Sequence, residues 1–508
     1  MKIGIISNIY LIIFLPLISS LLCQIFTKKS LPLLITLFSL ILVFFLTLRV
    51  FPDILIYEKI DNNFSSSLLS AMLEFRLDLL GIIFLLLVTF LKIIILFYYR
   101  KDIEKSLDEK NHKLFYSIYL LSFFALVGIF TTNNLLNLFF FFEIYAFSFF
   151  TTSAISENLK IAKLSFQYFV LNSIAALITL FCFLVIYLSF AEINFDKIAE
   201  IFIVTKAIDN WFLPTIFLLL AIAFTLKFFS FWLSLQNLKS SDLIANFLTI
   251  DALFIKTNVG IFVTLKFLYF FFSSNSSLTN FHPQLILLLL ALLLIFYSSV
   301  KLYQKKHLKT IAAYFCLNNF GFIVGCLALK TTESMQALFF YLLNFNLTNL
   351  VIFVFGTFLK KNFNNSSINK IYLIRQNYFL LALPLKLLIF FIAAFPLSLL
   401  FFANWYLAYA SFSFDIAAFM LIALIIANFV HVSLAIKFIS AFFTPETFEI
   451  ATKNFKKSKQ NNLNWRVYSF YLISFWFLIV TIYLSFLASN FTNNLSVRFA
   501  TFLLSNSL

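Results

Sequence analysis

The sequence predicts an all-α integral membrane protein of about 14 transmembrane helices, and three observations carry the expectation. Of 508 residues, 62% are hydrophobic and only 11% charged, far from the roughly 25% charged of soluble domains. Apolar runs of about 20 residues recur along the chain, each long enough to cross a ~30 Å hydrocarbon core. The lysines and arginines between those runs fall mostly on alternate loops, as the positive-inside rule requires of a chain that crosses repeatedly. Lipid offers no partner to backbone N–H and C=O groups, so spans of this kind must be helices that satisfy them internally.

In chain order the expected spans cover residues 8–26, 31–50, 77–99, 114–130, 135–155, 164–188, 211–235 and 243–272. They continue at 285–303, 308–329 and 337–359, with two more in 378–443 dividing near 412–415, and a last at 467–487. The first run is expected to be a span and not a cleavable signal, because no small-residue cleavage pattern or polar domain follows it. Polar patches at 62–67, 273–277 and 362–367 are loop material, too short to fold separately.

Loop charge sets the orientation. One side of the membrane receives Lys28 and Lys29, then Arg100, Lys101, Lys105, Lys110 and Lys113, then Lys160 and Lys163. The same side receives Lys305, Lys306 and Lys309, then Lys360, Lys361, Lys370 and Arg375, then Lys453, Lys456, Lys457, Lys459 and Arg466. The opposite loops at 131–134 and 273–280 carry no Lys or Arg, although Arg49, Lys59, Arg76, Lys197 and Lys206 depart from the pattern. Both termini then face outward, which requires an even number of spans.

Composition also excludes several chemistries. Cys23, Cys182, Cys316 and Cys326 lie in apolar runs without a CxxC, which argues against a disulfide frame, a zinc site or an iron–sulfur site. His112, His282, His307 and His431 are scattered, so their spacing supports no metal site. The net charge of +16 sits mostly in loops and no segment sets apart a basic face with interleaved aromatics, so no nucleic acid is expected as a partner. Phe 76 against Gly 7 is better explained by codon bias in an AT-rich organelle or endosymbiont genome than by chemistry.

Charges within spans are few. A helix over 135–155 places Phe139 and Phe147 one turn either side of Glu143, leaving the acid no wet face. An intramembrane acid costs roughly 2.5–3.5 kcal/mol on insertion scales and persists by facing a partner in the protein interior. The candidate partners are Lys227 and Lys256, well inside their runs, followed by Lys386, with Asp78 and Asp251 nearer span ends. Lys92, Lys266 and Lys437 are expected to snorkel to the headgroups, and His431 to be a satisfied core histidine. Burial lowers a lysine's proton affinity and a nearby carboxylate restores it, so Glu143, Lys227 and Lys256 have the chemistry of a proton relay. The same residues would also serve as a static ion pair that fixes helix packing.

Leu135-Leu136-Asn137-Leu138, then Glu143, then Tyr168-Phe169-Val170-Leu171 resemble the fifth and sixth helices of the antiporter-like membrane subunits. That family includes chains L, M and N of NADH:quinone oxidoreductase and the A-type and D-type chains of Mrp-type cation/proton antiporters. His307-Leu308-Lys309, Ala313-Tyr314 and Gly321-Phe322 are similar to the family's tenth-helix signature. Tyr341-Leu342-Leu343, Leu347-Thr348-Asn349 and Phe353 resemble the eleventh helix of chain N, as do Ile186-Tyr187 and Asn194-Phe195 in the sixth-helix region.

The resemblance implies two inverted five-helix repeats at spans 4 to 8 and 9 to 13, with ion sites near the bilayer midplane at broken helices. It divides the chain into helices 1 to 3 at 1–113, an antiporter-like core at 114–443, and a loop, last helix and short tail at 444–508. Glu143 would be the helix-five glutamate that pairs with a helix-seven lysine, and Lys256 the helix-eight lysine. Counting back from Trp232, the family's helix-seven lysine falls at Ala223, and here Lys227 stands one turn later on the same face. Phe228 replaces the usual helix-breaking proline. Pro396 is kept in the second repeat, but the charged residue expected eight positions on is Asn404.

The implied function is proton translocation as a chain N-like membrane subunit of NADH:quinone oxidoreductase, with the redox sites in other subunits. The implied partners are other membrane subunits of a respiratory complex and the lipid bilayer. The location would be the mitochondrial inner membrane or a bacterial inner membrane. No cofactor, metal or catalytic residue is expected in this chain. Two other readings stay open: a D-type chain of an Mrp-type antiporter, and a non-transporting structural subunit, which Asn404 and Phe228 favour.

Overall fold

A computed structural model describes residues 2–26, 30–57, 59–61, 75–107, 109–155, 159–205, 212–224, 226–227, 243–272, 283–363, 367–372, 379–396, 398–412, 418–443 and 496–501. These residues are almost wholly helical and fall into two compact units, Met1–Phe281 and His282–Leu504. Among the described residues, eleven helices are long and apolar enough to cross a membrane.

The first unit contains α1 (Lys2–Ile25), α2 (Ser30–Tyr57), α3 (Leu79–Ser106), α4 (Glu109–Thr131), α5 (Leu135–Ala154) and α6 (Leu159–Phe190). It continues with α7 (Phe195–Thr205), α8 (Phe212–Phe224), α9 (Leu243–Asp251), a π turn (Ala252–Lys256) and α10 (Thr257–Phe272). A small hairpin, β1 (Lys59–Asp61) and β2 (Arg76–Asp78), pairs antiparallel with Lys59 opposite Asp78. Apolar periodicity gave no warning of it, because each strand is only three residues long.

Asp78 ends the hairpin and starts α3: its carboxylate accepts the Gly81 N–H at 2.6 Å, a helix N-cap. A Cβ on Gly81 would lie 2.4 Å from the Phe130 carbonyl, so the absence of a side chain lets α3 pack closely on α4. Asn134 caps α5 in the same manner, accepting from Leu136 N–H at 2.9 Å.

Residues 195–205, expected as loop, form the short amphipathic helix α7. Its Asp196 pairs with Arg76 and accepts from Asn133 Nδ2 at 3.0 Å. Arg76, which departs from the loop-charge pattern, is thereby held by an acid on its own side of the bundle.

The span 247–267 is buried along nearly its whole length while 165–190 leaves most of its positions uncovered, which sets the former at the centre of the unit and the latter at its rim.

The second unit contains α11 (Pro283–Gln304), α12 (Leu308–Leu329), α13 (Thr332–Phe363), a 3-10 turn (Ile368–Lys370), α14 (Phe379–Ile392), α15 (Leu399–Ser411) and α16 (Ala418–Phe443). Proline opens α11, where its missing N–H costs nothing. Lys330 closes α12 in the left-handed region at φ 54°. A reciprocal cap then starts α13: Thr331 N–H donates to Ser334 Oγ at 2.9 Å and Ser334 N–H to Thr331 Oγ1 at 3.1 Å. That cap begins the helix five residues before the expected 337. The centre of this unit is 332–360, which is buried along most of its length.

The expected twelfth span is broken. α14 stops at Ile392, Ala394 takes φ 52°, and α15 restarts behind Ser398, whose hydroxyl accepts from Phe401 N–H at 3.1 Å. Pro396 supplies the reason, since it has no N–H to give and its ring clashes with the carbonyl four residues back. Of the expected seventh span, only 212–224 and 226–227 lie among the described residues, and the span expected at 467–487 lies outside them.

Candidate functional site

The first unit gathers five ionisable side chains from α3, α5, α8's continuation and the α9–α10 helix. The first two meet directly. Lys227, in the π-helical step at 226–227 beyond α8, donates from Nζ to Glu143 Oε1 at 2.6 Å. Its side chain is 3% exposed, and its ammonium lies 5.0 Å from the Phe142 ring centroid and 5.9 Å from that of Phe139.

Glu143 departs from expectation in one respect: its side chain is 37% exposed. The face it reaches is not aqueous in character, because Phe140 and Phe147 beside it are 56% and 57% exposed. The carboxylate therefore points along the outer surface of α5, at a place where an apolar rim surrounds one acid.

Lys256 occupies the last position of the π turn and is fully buried. Its Nζ lies 3.5 Å from the ring centroid of Phe149 on α5 and 3.2 Å from that of Tyr168 on α6, so two aromatic faces enclose the ammonium. Phe149 follows Glu143 by six residues, about 9 Å along α5. One helix therefore serves both lysines.

The π turn has a local cause and a geometric effect. Side chains just beyond it bind carbonyls of the turn: Thr257 Oγ1 donates to the Leu253 carbonyl, and Asn258 Nδ2 to the Phe254 carbonyl at 2.6 Å. Residues five apart diverge on an α-helix, but a turn closed by i→i+5 bonds stacks them. Asp251 and Lys256 flank this turn, and the two charges interact. Asp251 is 5% exposed, its Oδ1 has no hydrogen-bond partner, and the carboxylate interacts electrostatically with Lys92 as well.

Lys92 was expected to snorkel and does not. It is fully buried, donates to Ser122 Oγ at 2.9 Å, and stands 3.9 Å from the Tyr119 ring centroid on α4. The physical reason is the length of α3. That helix runs to Ser106, so the charged stretch from Arg100 lies eight residues, about 12 Å, beyond Lys92, out of reach of a lysine stem. Sequence reasoning missed Lys92 because the distance to the end was measured along the apolar run and not along the helix. It placed Asp251 near a span end; the helix does start only eight residues earlier, at Leu243, yet the carboxylate is buried and interacts with two buried lysines.

The remaining candidates separate by position. Lys266 bonds the Thr132 carbonyl at the turn before α5, and Lys437 donates to the Tyr303 carbonyl at 2.6 Å. Lys386 is exposed, 5.7 Å from the Phe442 ring centroid. Asn404 is 8% exposed in α15 and joins a neutral chain: Tyr341 Oη donates to its Oδ1 at 2.6 Å, and its Nδ2 donates to Asn428 Oδ1 at 2.9 Å. Phe228 lies outside the described residues.

Chemically, the first unit can hold a proton on lysines whose charge is favoured by Glu143 and Asp251. It can also pass one on when either carboxylate is drawn away. Among the described residues no group of three His, Cys, Asp or Glu side chains is arranged to hold a metal ion.

A sequence model of the family described as NADH:quinone oxidoreductase/Mrp antiporter, transmembrane, matches residues 132–430. No curated protein sequence matches the chain significantly. Among solved structures, a chain of the membrane-bound sulfane sulfur reductase, an archaeal respiratory membrane complex, superposes with a TM-score of 0.72 at 18% identity, covering 98% of this chain and 99% of that one. A chain of respiratory complex I from Thermus thermophilus gives 0.71 at 17% identity, covering 97% and 99%. A chain of the Mrp complex from Dietzia sp. DQ12-45-1b gives 0.67 at 16% identity, covering 98% of this chain and 52% of that one.

Proposed function

The chain belongs to the NADH:quinone oxidoreductase/Mrp antiporter membrane-subunit family, and from that premise we propose that it translocates protons as a chain N-like membrane subunit of an NADH:quinone oxidoreductase. The observation that carries the reading is the contact of Lys227 with Glu143, with Lys256 buried against Phe149 farther along the helix of Glu143. The family supplies proton translocation as a class. This chain supplies acids and lysines spaced so that a proton leaving one finds another within the same unit.

In this reading Glu143 holds Lys227 protonated while they touch. Withdrawal of the acid leaves a desolvated ammonium that gives up its proton toward Lys256 through intervening water. Asp251 and Lys92 continue the series. The energy comes from redox chemistry in other subunits, and the exposed acid of α5 with its phenylalanine rim is the place where a neighbouring membrane subunit would act on this one.

The fold extends the proposal to about 14 spans and two inverted repeats, in an energy-coupling membrane of a mitochondrion or bacterium. The division after Phe281, between the expected eighth and ninth spans, supports two repeats. So does the occurrence of helix irregularity in both the seventh and twelfth expected spans, at 226–227 and at 393–398.

The test is Lys256→Ala in the intact complex reconstituted into vesicles. Proton transport should fall at least about tenfold, or about 1.4 kcal/mol in barrier, while the complex stays assembled. Undiminished pumping by the assembled variant would leave a structural subunit, the reading that neutral Asn404 favours. Flavin and iron–sulfur subunits co-purifying with the chain would separate this function from that of a D-type chain in an Mrp-type antiporter.

A further inference from the structure

The second unit contains a buried polar cluster that the relay above does not use. His431, near the middle of α16, is 1% exposed, and neither Nδ1 nor Nε2 has a hydrogen-bond partner. Its ring lies 4.9 Å from that of Phe315 on α12. One helical turn before it on α16 is Asn428, which leads through Asn404 to Tyr341 on α13. Tyr341 stacks on Phe322 of α12 with centroids 5.1 Å apart.

Two further amides complete the cluster. Asn344 stands one turn beyond Tyr341, and Asn319 lies between Phe315 and Phe322 along α12. They are 1% and 0% exposed, and all four of their amide atoms are without partners. The ring contacts bring His431 of α16 and Tyr341 of α13 onto the face of α12 that carries Asn319 by helical spacing, hydrogen bonds join Asn404 and Asn428 to Tyr341, and Asn344 shares the face of Tyr341 on α13. All lie well inside their helices, away from the ends.

Orphaned donors and acceptors in such numbers are not tolerated in a dry interior, because each carries its full desolvation penalty. On neighbouring faces of packed helices, such groups offer water the two to four partners it needs. Amides and a tyrosine hydroxyl do not titrate near neutrality, whereas an imidazole does. The expectation of a satisfied core histidine fails on both ring nitrogens.

We infer that His431 and the amides of Asn319, Asn344, Asn404 and Asn428, with Tyr341, form a hydrated proton-binding site in the second unit, in which the imidazole takes and gives the proton. A proton arriving from water binds the unprotonated ring nitrogen. The other nitrogen then releases its proton to the next water, and the ring returns to neutrality as the opposite tautomer. Among the described residues, the lysines of α11, α14 and α16 are engaged away from the ring: Lys301 on α11 lies toward Tyr297, Lys386 on α14 toward Phe442, and Lys437 on α16 bonds the Tyr303 carbonyl. Proton binding here stands apart from the proposed translocation, although its use in transport rests on that reading.

The experiment is hydrogen–deuterium exchange at the imidazole C2 position, followed by mass spectrometry on the intact complex. The native His431 should exchange with a sigmoidal dependence on pH across the range in which the complex stays assembled. A ring that does not exchange at any pH in that range is dry, and the inference is wrong. His431→Phe supplies a second measurement. The site predicts at least about a tenfold loss of transport with the complex assembled. A packed, dry ring predicts a more heat-stable complex with transport unchanged. Should the phenylalanine variant not assemble, the exchange profile of the native chain still decides. A complex that exchanges at His431 yet pumps no protons would leave this site standing and overturn the proposed function.

Discussion

Both units bury amides, but among the described residues the interior of the first also holds charge, at Lys92, Lys227, Asp251 and Lys256, while that of the second buries no Lys, Arg, Asp or Glu and relies on Asn318, Asn319, Asn344, Asn349 and Asn404. Buried charges act over many ångströms in a medium that screens poorly, so their helices are coupled without touching. Amides act only where donor meets acceptor, as in the chain from Tyr341 through Asn404 to Asn428. A proton entering the first unit changes the field at every lysine. A proton entering the second changes the hydrogen bonds of its immediate neighbours. The two halves therefore differ less in how polar they are than in the distance over which an event is felt.

The largest effect that would break this comparison comes from Asp251→Asn, which leaves Lys92 and Lys256 facing one another without an acid between them. Removing one partner from a buried ion group costs about 3 kcal/mol or more, so the yield of assembled complex should drop sharply. Lys92→Met added to Asp251→Asn should recover part of it. If the single variant assembles as well as the parent, the charges of the first unit are not coupled and the contrast with the second disappears.

Glu143→Gln and Lys227→Met come next. Their cost is smaller, about 1–3 kcal/mol, because Glu143 is 37% exposed and the freed lysine can reach its surface. Double-variant yield should be better than the sum of the single losses, while transport stays impaired in all three. Strict additivity in yield would show that the 2.6 Å contact carries no mutual stabilisation.

Asn404→Leu probes the short-range half. It orphans the Tyr341 hydroxyl and the Asn428 amide at a cost of about 1–3 kcal/mol. Thermal denaturation of the complex should shift downward, and adding Tyr341→Phe should cost little more. A shift no larger than that of an ordinary surface change would mean the amides are already served by other partners.

The smallest effect is expected at Arg76→Gln on the rim. The side chain of Arg76 is 10% exposed but that of its partner Asp196 is 45% exposed, so solvent screens the pair and it is worth about 1 kcal/mol. A large loss of stability there would place an important charge network outside the buried interior and blur the distinction drawn above.

Much of this arrangement was legible in the residues themselves. Glu143 was a lone acid in an apolar run, and the expense of such a group pointed to a partner among few lysines. Lys256 stood in mid-run, which length alone reveals. Lys92 did not disclose itself because the apolar run ends at about residue 99 whereas α3 continues to Ser106, turning an apparent near-end lysine into a central one. Asp251 was obscured because its partners, Lys92 on another helix and Lys256 across a π turn, leave no mark in hydrophobic periodicity. In the fold, the long spans were visible from composition. The hairpin at 59–61 and 76–78, the short helix 195–205 and the break at 393–398 depend on caps, a left-handed residue and a proline, which act over two or three positions.

The turn at Ala252–Lys256 holds one residue more per circuit than the helix on either side. Such an insertion is a slack link: it can migrate one position along the rod by exchanging backbone hydrogen bonds, without lengthening the rod or shifting its ends. A one-residue step of the slack past Asp251 would swing that carboxylate about 100° around the axis, away from Lys256 and toward other neighbours. The rod would then work as a commutator, redirecting one negative charge by rotation within a bundle whose helices need not slide or tilt.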